Sequence, residues 1–155
     1  MGLGTLGIMP DAAQGRPGPL HLRCVFVYGT LRAGQANDIT RLAPAPRLLG
    51  TARVRGRLYH LGGYPGLVLG GAGWVHGEVY AARPALEVLL EEIEMIYPPQ
   101  SDEYTKRQLR VEVALVAGGR AELSCLCYAY NPVHLQGAPR IPGGDWVNRE
   151  GEVGP

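Results

Sequence analysis

Tyr28-Gly29-Thr30-Leu31 is the stretch of this 155-residue chain with the plainest capacity for chemistry. It follows four apolar residues of strand type, "CVFV", and precedes Arg32 and a second glycine, Gly34. A strand that ends in so small a turn leaves consecutive backbone N–H groups bare. Gly29 adds freedom to adopt positive φ and room for close approach to the main chain. Successive amides of this kind can form a concave nest for an anion, or for a carbonyl oxygen that gains charge. The same four residues also suffice for an ordinary turn that only reverses the chain, and the motif alone does not separate the two.

Carboxylates come next. The segment "RPALEVLLEEIEMIY" (83–97) holds Glu87, Glu91, Glu92 and Glu94. At roughly 100° per residue, its apolar stripe centres near Leu86 and Ile93, with Glu92 about 110° away, Glu91 about 150° and Glu94 only about 90°. Glu87 lies one heptad before Glu94 on the same border. A border carboxylate is partly desolvated where it looks into a cleft beside the core, and its pKa then rises toward the range useful for moving protons. Geometry leaves Glu94 and Glu87 as equal candidates, with solvated glutamates as the plain alternative. Tyr104 can lend its hydroxyl to a pocket or simply pack. Arg32 can meet an anionic ligand or solvent.

Other chemistry is weakly represented. His21, His60, His76 and His134 complete no zinc spacing with Cys24, Cys125 and Cys127, which read as buried structural thiols. The chain has no GxSxG elbow, no GxxxxGK[ST] phosphate loop and no GxGxxG fingerprint.

The elements that must position these groups follow from pattern. "RCVFVY" is a nearly continuous apolar run, as for a buried strand. "TARVRGRLYHL" alternates loosely and predicts a half-exposed strand with Gly56 at a bend or bulge. "GGYPGLVLGGAG" reads as turns around a short apolar run, and "WVHGEVYAA" as a further strand. Residues 83–97 form the one helix, with Pro84 at its start and Pro98-Pro99 stopping it. Its apolar face is Leu86, Leu89, Leu90, Ile93 and Tyr97. "QLRVEVALV" alternates with period two and turns at "GGR" into "AELSCLCYAY", a hairpin. The last stretch is irregular, with Trp146 as its anchor.

Length and composition allow a single domain at 22–148, with a Gly/Pro/Ala-rich leader at 1–21 and a short tail at 149–155. A formal net charge of +1 gives no electrostatic case for nucleic acid or an anionic membrane. No apolar run approaches the roughly 20 residues that span a bilayer. An odd count of three cysteines argues against a disulfide framework, so a cytoplasmic location is expected. Five or six strands against one helix predict a mixed α+β fold with a barrel-like or strongly curved sheet.

Four segments in order, "VFVYGTLRAG", "GRLYHLGGYPGLVLGGAGWVHGEVY", "LEEIEMIYPPQSDEY" and "IPGGDW", resemble the γ-glutamylcyclotransferase-like superfamily. The branch it most resembles is that of the AIG2-like γ-glutamylamine cyclotransferases, marked by the YGTL turn. The resemblance implies a small mixed β-barrel with one main helix. It places the substrate-pocket main chain at Tyr28, Gly29, Thr30 and Leu31. It places the acidic residue of a Leu-Asp-x-x-Glu segment at Glu94, which selects it over Glu87. A Tyr-x-Arg element falls on Tyr104-Thr105-Lys106, so Lys106 stands in the arginine's place unless the register slips to Arg107. The implied reaction releases 5-oxoproline and an amine from a γ-glutamyl-amine or γ-glutamyl peptide, with no metal or organic cofactor. The implied partner is that small substrate, with neither nucleic acid nor membrane. The alternative is a non-catalytic module of the same fold that binds a small anion or metabolite.

Overall fold

The computed structural model describes residues 22–96 and 103–149, apart from the side chains of 92–96 in the helix. In chain order the described elements are β1 (Arg23–Val27), β2 (Arg47–His60), β3 (Pro65–Ala82), α1 (Pro84–Ile96), β4 (Tyr104–Leu115), β5 (Arg120–Tyr130) and β6 (Arg140–Ile141). The sheet runs β3-β1-β5-β4-β2-β6, and an additional β3–β2 pairing closes five of these strands into a barrel. This is the mixed barrel with one helix that the pattern predicts.

Alternation along the strands produces two apolar layers. Phe26, Tyr28, Val79, Val111, Val113, Cys125 and Cys127 point into the barrel with Leu58, Val75 and Trp146. Val25, Val27, Tyr80, Leu126 and Tyr128 point outward, where Leu86 and Leu90 of α1 and the loop residues Leu31 and Ile39 cover them. The continuous apolar run in β1 therefore reflects burial on both faces. The helix begins at Pro84, as expected. Leu86 and Leu90 on its apolar stripe are fully buried, while Ile93 and Tyr97 lie outside the described side chains.

One reading needs correction. "GGYPGLVLGGAG" is not turns around a short run, and "WVHGEVYAA" is not a separate strand. From Pro65 onward both belong to the single 18-residue β3, and only 62–64 stay outside it as a bend. It pairs with β2 from His60↔Pro65 to Gly56↔Leu69, then resumes at Arg55↔Trp74. The intervening residues bulge out, and Gly70 and Gly71 take φ of +99° and +90° to allow it. The glycines that looked like strand breakers make the bulge instead, opposite the predicted irregularity at Gly56. The β4–β5 hairpin forms as expected, with register Tyr104↔Tyr130 through Ala114↔Arg120. Gly118 and Gly119 hold positive φ in its turn.

A single parallel pairing joins the described strands, that of β1 with β5, and it spans only Cys24↔Cys125 and Val25↔Leu126. Beyond it the two strands part. Their carboxyl ends carry Tyr28 and Tyr128.

Candidate active site

Parallel strands that separate at their carboxyl ends leave a crevice where a ligand can meet main chain. A cavity of about 420 Å³ opens there, within the size range of small-molecule sites. Its floor is Phe26, Val27 and Tyr28, and its rim is Gly29, Thr30 and Leu31. Gly63–Pro65, Asn37, Tyr104 and Tyr128 complete the wall. The stretch singled out by sequence and the separately nominated Tyr104 thus line one pocket.

Each wall is held by a specific contact. The Tyr28 hydroxyl donates to the Tyr128 carbonyl (2.7 Å) and accepts from the Leu67 amide (3.4 Å), bridging β1, β5 and β3. Tyr104 donates to the Pro65 carbonyl (2.7 Å) and meets Tyr130 edge-on at 5.2 Å. Its hydroxyl therefore both lines the pocket and braces it. The turn itself is set by Arg32 N–H to the Gly29 carbonyl (3.0 Å), Asn37 N–H to the Thr30 carbonyl (2.8 Å) and Ile39 N–H to the Leu31 carbonyl (2.9 Å). Asn37 also donates its amide to Thr30 Oγ1 (3.2 Å). The carbonyls of the turn are consumed. Among the described residues, the amides of Gly29, Thr30 and Leu31 have no acceptor. Buried or half-buried donors without acceptors are unusual, and three in succession at a cavity rim can receive an oxyanion.

Gly29 plays a different part from the one its type suggests. It is not among the positive-φ glycines. A Cβ there would lie 2.5 Å from Cγ of Pro65, so the glycine is needed because the strand exit packs flat on the proline of the opposite wall. Arg32 also departs from both expected roles. It pairs with Glu78 (3.1 Å) and Asp145 (2.8 Å), and Glu78 in turn accepts from the Ala33 amide and the Tyr80 hydroxyl. Burial opposes ionisation of Asp145, but hydrogen bonds from Asn148 and Arg32 outweigh it and hold the carboxyl below its ordinary value. Arg32 thus staples the loop after the turn to β3 and the C-terminal segment.

Glu87 and Glu91 of the helix meet side chains of β1, β4 and β5. Lys106 Nζ contacts Glu87 (2.6 Å) and Glu91 (2.5 Å), and Glu87 also reaches Arg23 (3.7 Å). Hydrogen bonds donated by the Lys106 ammonium to these carboxylates raise its pKa. Tyr128, a pocket residue, donates to Glu91 (3.5 Å). Strand alternation turns Arg107 to the other side of β4 from Lys106. The Glu94 side chain lies outside the described residues.

Asn37, Tyr64, Pro65 and Tyr128 belong to the pocket and escaped sequence reading. Tyr128 had a signal in the period-two run of β5, and Pro65 in the "GGYPG" turn. Among the described residues no cluster of three metal-ligating side chains occurs, and no helix is long and apolar enough to cross a membrane. Cys24 neighbours Cys125 across the parallel pairing, and burial pushes the Cys125 thiol up to about 12, a pair of protonated packing groups.

Comparison with known proteins adds what geometry leaves open. Residues 25–148 match the family model described as "Gamma-glutamyl cyclotransferase, AIG2-like". The chain is 34% identical over 142 residues to the gamma-glutamylaminecyclotransferase of Bos taurus, covering 81% of this chain and 76% of that protein. It is 53% identical over 58 residues to a Vibrio cholerae protein, a match that spans 36% of this chain and only 48% of the other. Among solved structures, an AIG2-like protein from Mus musculus superposes with a TM-score of 0.61 at 28% identity, over 77% of this chain and 86% of that one. With these matches spanning the strands and helix that build the pocket, the chain belongs to the γ-glutamyl cyclotransferase, AIG2-like family.

Proposed function

We propose that this protein cyclises a γ-glutamyl-amine, releasing 5-oxoproline and the free amine, with Glu94 as the acid–base group. The observation that carries the proposal is the run of amides at Gly29, Thr30 and Leu31, without an acceptor among the described residues, on the rim of a small aromatic cavity. The relationship to the bovine γ-glutamylamine enzyme supports the substrate class.

The α-amine of the substrate attacks its own γ-carbonyl. Both groups sit in one molecule, so no second reactant has to be captured and orientation is the main demand. The α-ammonium must first lose a proton, the γ-oxygen gains charge as the ring closes, and the departing amine must gain a proton. A single carboxylate between the two nitrogens can do both transfers. The turn amides either hold the substrate's α-carboxylate or receive the developing oxyanion. Each well-aimed donor of the latter kind contributes on the order of 3 kcal/mol at the transition state.

Helix direction supports Glu94 for the proton role. Glu87 meets Arg23 at the start of β1, and one turn later Glu91 meets Tyr128 at the pocket. Glu94 follows about 4.5 Å further along the axis, at an angle between buried Leu90 and Glu91.

The lining favours an uncharged leaving portion. Among the described residues, none that lines the cavity is Lys, Arg or His, so a carboxylate on the leaving amine would find no cation. A γ-glutamyl-alkylamine should therefore outperform a γ-glutamyl-amino acid in kcat/KM. The test is a panel of both substrate types with 5-oxoproline as readout, repeated with Glu94→Gln. Loss of about 10²-fold or more in kcat is expected of that variant. Undiminished turnover would remove Glu94 from the mechanism. Binding without any turnover by the parent protein would favour a binding module.

A further inference from the structure

A second and larger cleft, of about 840 Å³, shares no lining residue with the first. It lies where β2 and β4 separate beyond the Ala52↔Val113 pairing. Six arginines line it, against three carboxylates. Two of those carboxylates are committed, Asp145 to Arg32 (2.8 Å) and Glu122 to Arg110 (3.0 Å). Arg53, Arg55, Arg107 and Arg120 have no carboxylate partner among the described residues, and Glu112 is the one acid left uncommitted beside them. The whole chain carries a formal charge of only +1, so positive charge is concentrated in this cleft.

Two of the guanidiniums are held in place. Arg53 and Arg55 alternate on the outer face of β2, opposite His76 and Trp74 of β3. Both stack on the Trp74 indole, at 4.2 Å and 3.7 Å from its centre. Arg55 also donates to the Ala72 carbonyl (2.7 Å). Stacking spends the faces of the guanidiniums and leaves their N–H edges available, the arrangement in which arginine takes oxyanions bidentately. Two like charges brought to one ring repel each other, and an anion between them relieves that repulsion.

We propose that this cleft is a binding site for a small, multiply charged oxyanion, an oligophosphate or a polycarboxylate, gripped by Arg53 and Arg55 on β2 and by Arg120 on the same outer face from β5. The site is independent of the cyclotransferase reading, and its test uses no turnover.

Calorimetric titration of the full chain with inorganic tripolyphosphate at low salt is the experiment, with citrate as a second arm to separate the phosphate from the carboxylate source. Saturable one-to-one binding of one of them is expected, weakening as salt is added. Combined substitution Arg53→Gln and Arg55→Gln should weaken it by about tenfold or more, since each removes a charge-assisted hydrogen bond. Arg47→Gln, on the same strand but outside the cleft, should leave it unchanged. Circular dichroism of each variant establishes that the fold is kept, and Arg120→Gln stands in if the double variant is unfolded. Absence of saturable binding by either anion overturns the proposal. So does equal weakening by Arg47→Gln, which would mark a nonspecific charge effect, or full retention of affinity in the cleft variants.

Discussion

Gly29 illustrates what a residue type can and cannot announce. Its presence marked the turn correctly, but the sequence could not show that Pro65, 36 positions later, would occupy the space of its Cβ. Gly29→Ala should therefore destabilise the protein by about 1–3 kcal/mol through overpacking, read as a lower denaturant midpoint at unchanged slope. It should also raise KM for the γ-glutamyl substrate, because relief of the clash moves the amide rim. An alanine variant with parent-like stability and KM would show that the strand exit yields easily. Arg32 teaches the same lesson. Its two partners, Glu78 and Asp145, lie 46 and 113 residues away, beyond any local pattern. Asp145 has its pKa lowered in the folded state, so its stabilising contribution is present above the ordinary carboxylate pKa and lost as pH falls. Thermal stability of the parent should drop more steeply below about pH 4 than that of Asp145→Asn, which begins lower at neutral pH and has less to lose. Parallel pH curves for the two would contradict the ion pair.

At the scale of elements, the helix and the β4–β5 hairpin were readable because each obeys a single period over many residues. Leu86 and Leu90 fall on the buried stripe, and Val111 and Val113 on the inner face of β4. Strand β3 was misread because its local signal, a glycine-rich interruption, competes with a pairing to β2 that only the tertiary fold supplies. The helix is pinned by packing and by Lys106, whose amine ties Glu87 and Glu91 one turn apart to β4. Leu90→Ala should cost about 2–5 kcal/mol as a buried truncation. Lys106 is 42% exposed in its side chain, so its pairs contribute no more than about 1 kcal/mol to stability. Lys106→Met should nevertheless lower kcat more than it raises KM, because it loosens the helix that carries Glu94, and Lys106→Arg should restore most of the rate. A variant whose kinetics change only in proportion to its lost stability would reduce Lys106 to a surface ion pair.

Across the whole molecule, the barrel brings the carboxyl ends of β1 and β5, the Pro65 segment and Tyr104 to one cavity, although they span residues 26–128. The sequence showed the turn and the acid as separate candidates. Only closure of the sheet makes the turn amides a cavity rim, and only the antiparallel register of β4 with β5 sets Tyr104 beside Tyr130. Net charge was equally uninformative at this scale, since a near-neutral total conceals an arginine-rich cleft on the barrel wall. The central claim is that the amide rim and the Glu94 carboxyl act on one substrate. The most direct measurement is a crystal structure of the protein with 5-oxoproline bound. The expected result places an oxygen of the product about 3 Å from amides of Gly29–Leu31 and the ring nitrogen within hydrogen-bond reach of Glu94. Product seated away from the turn, or a Glu94 carboxyl directed into bulk solvent beside an occupied pocket, would contradict the account.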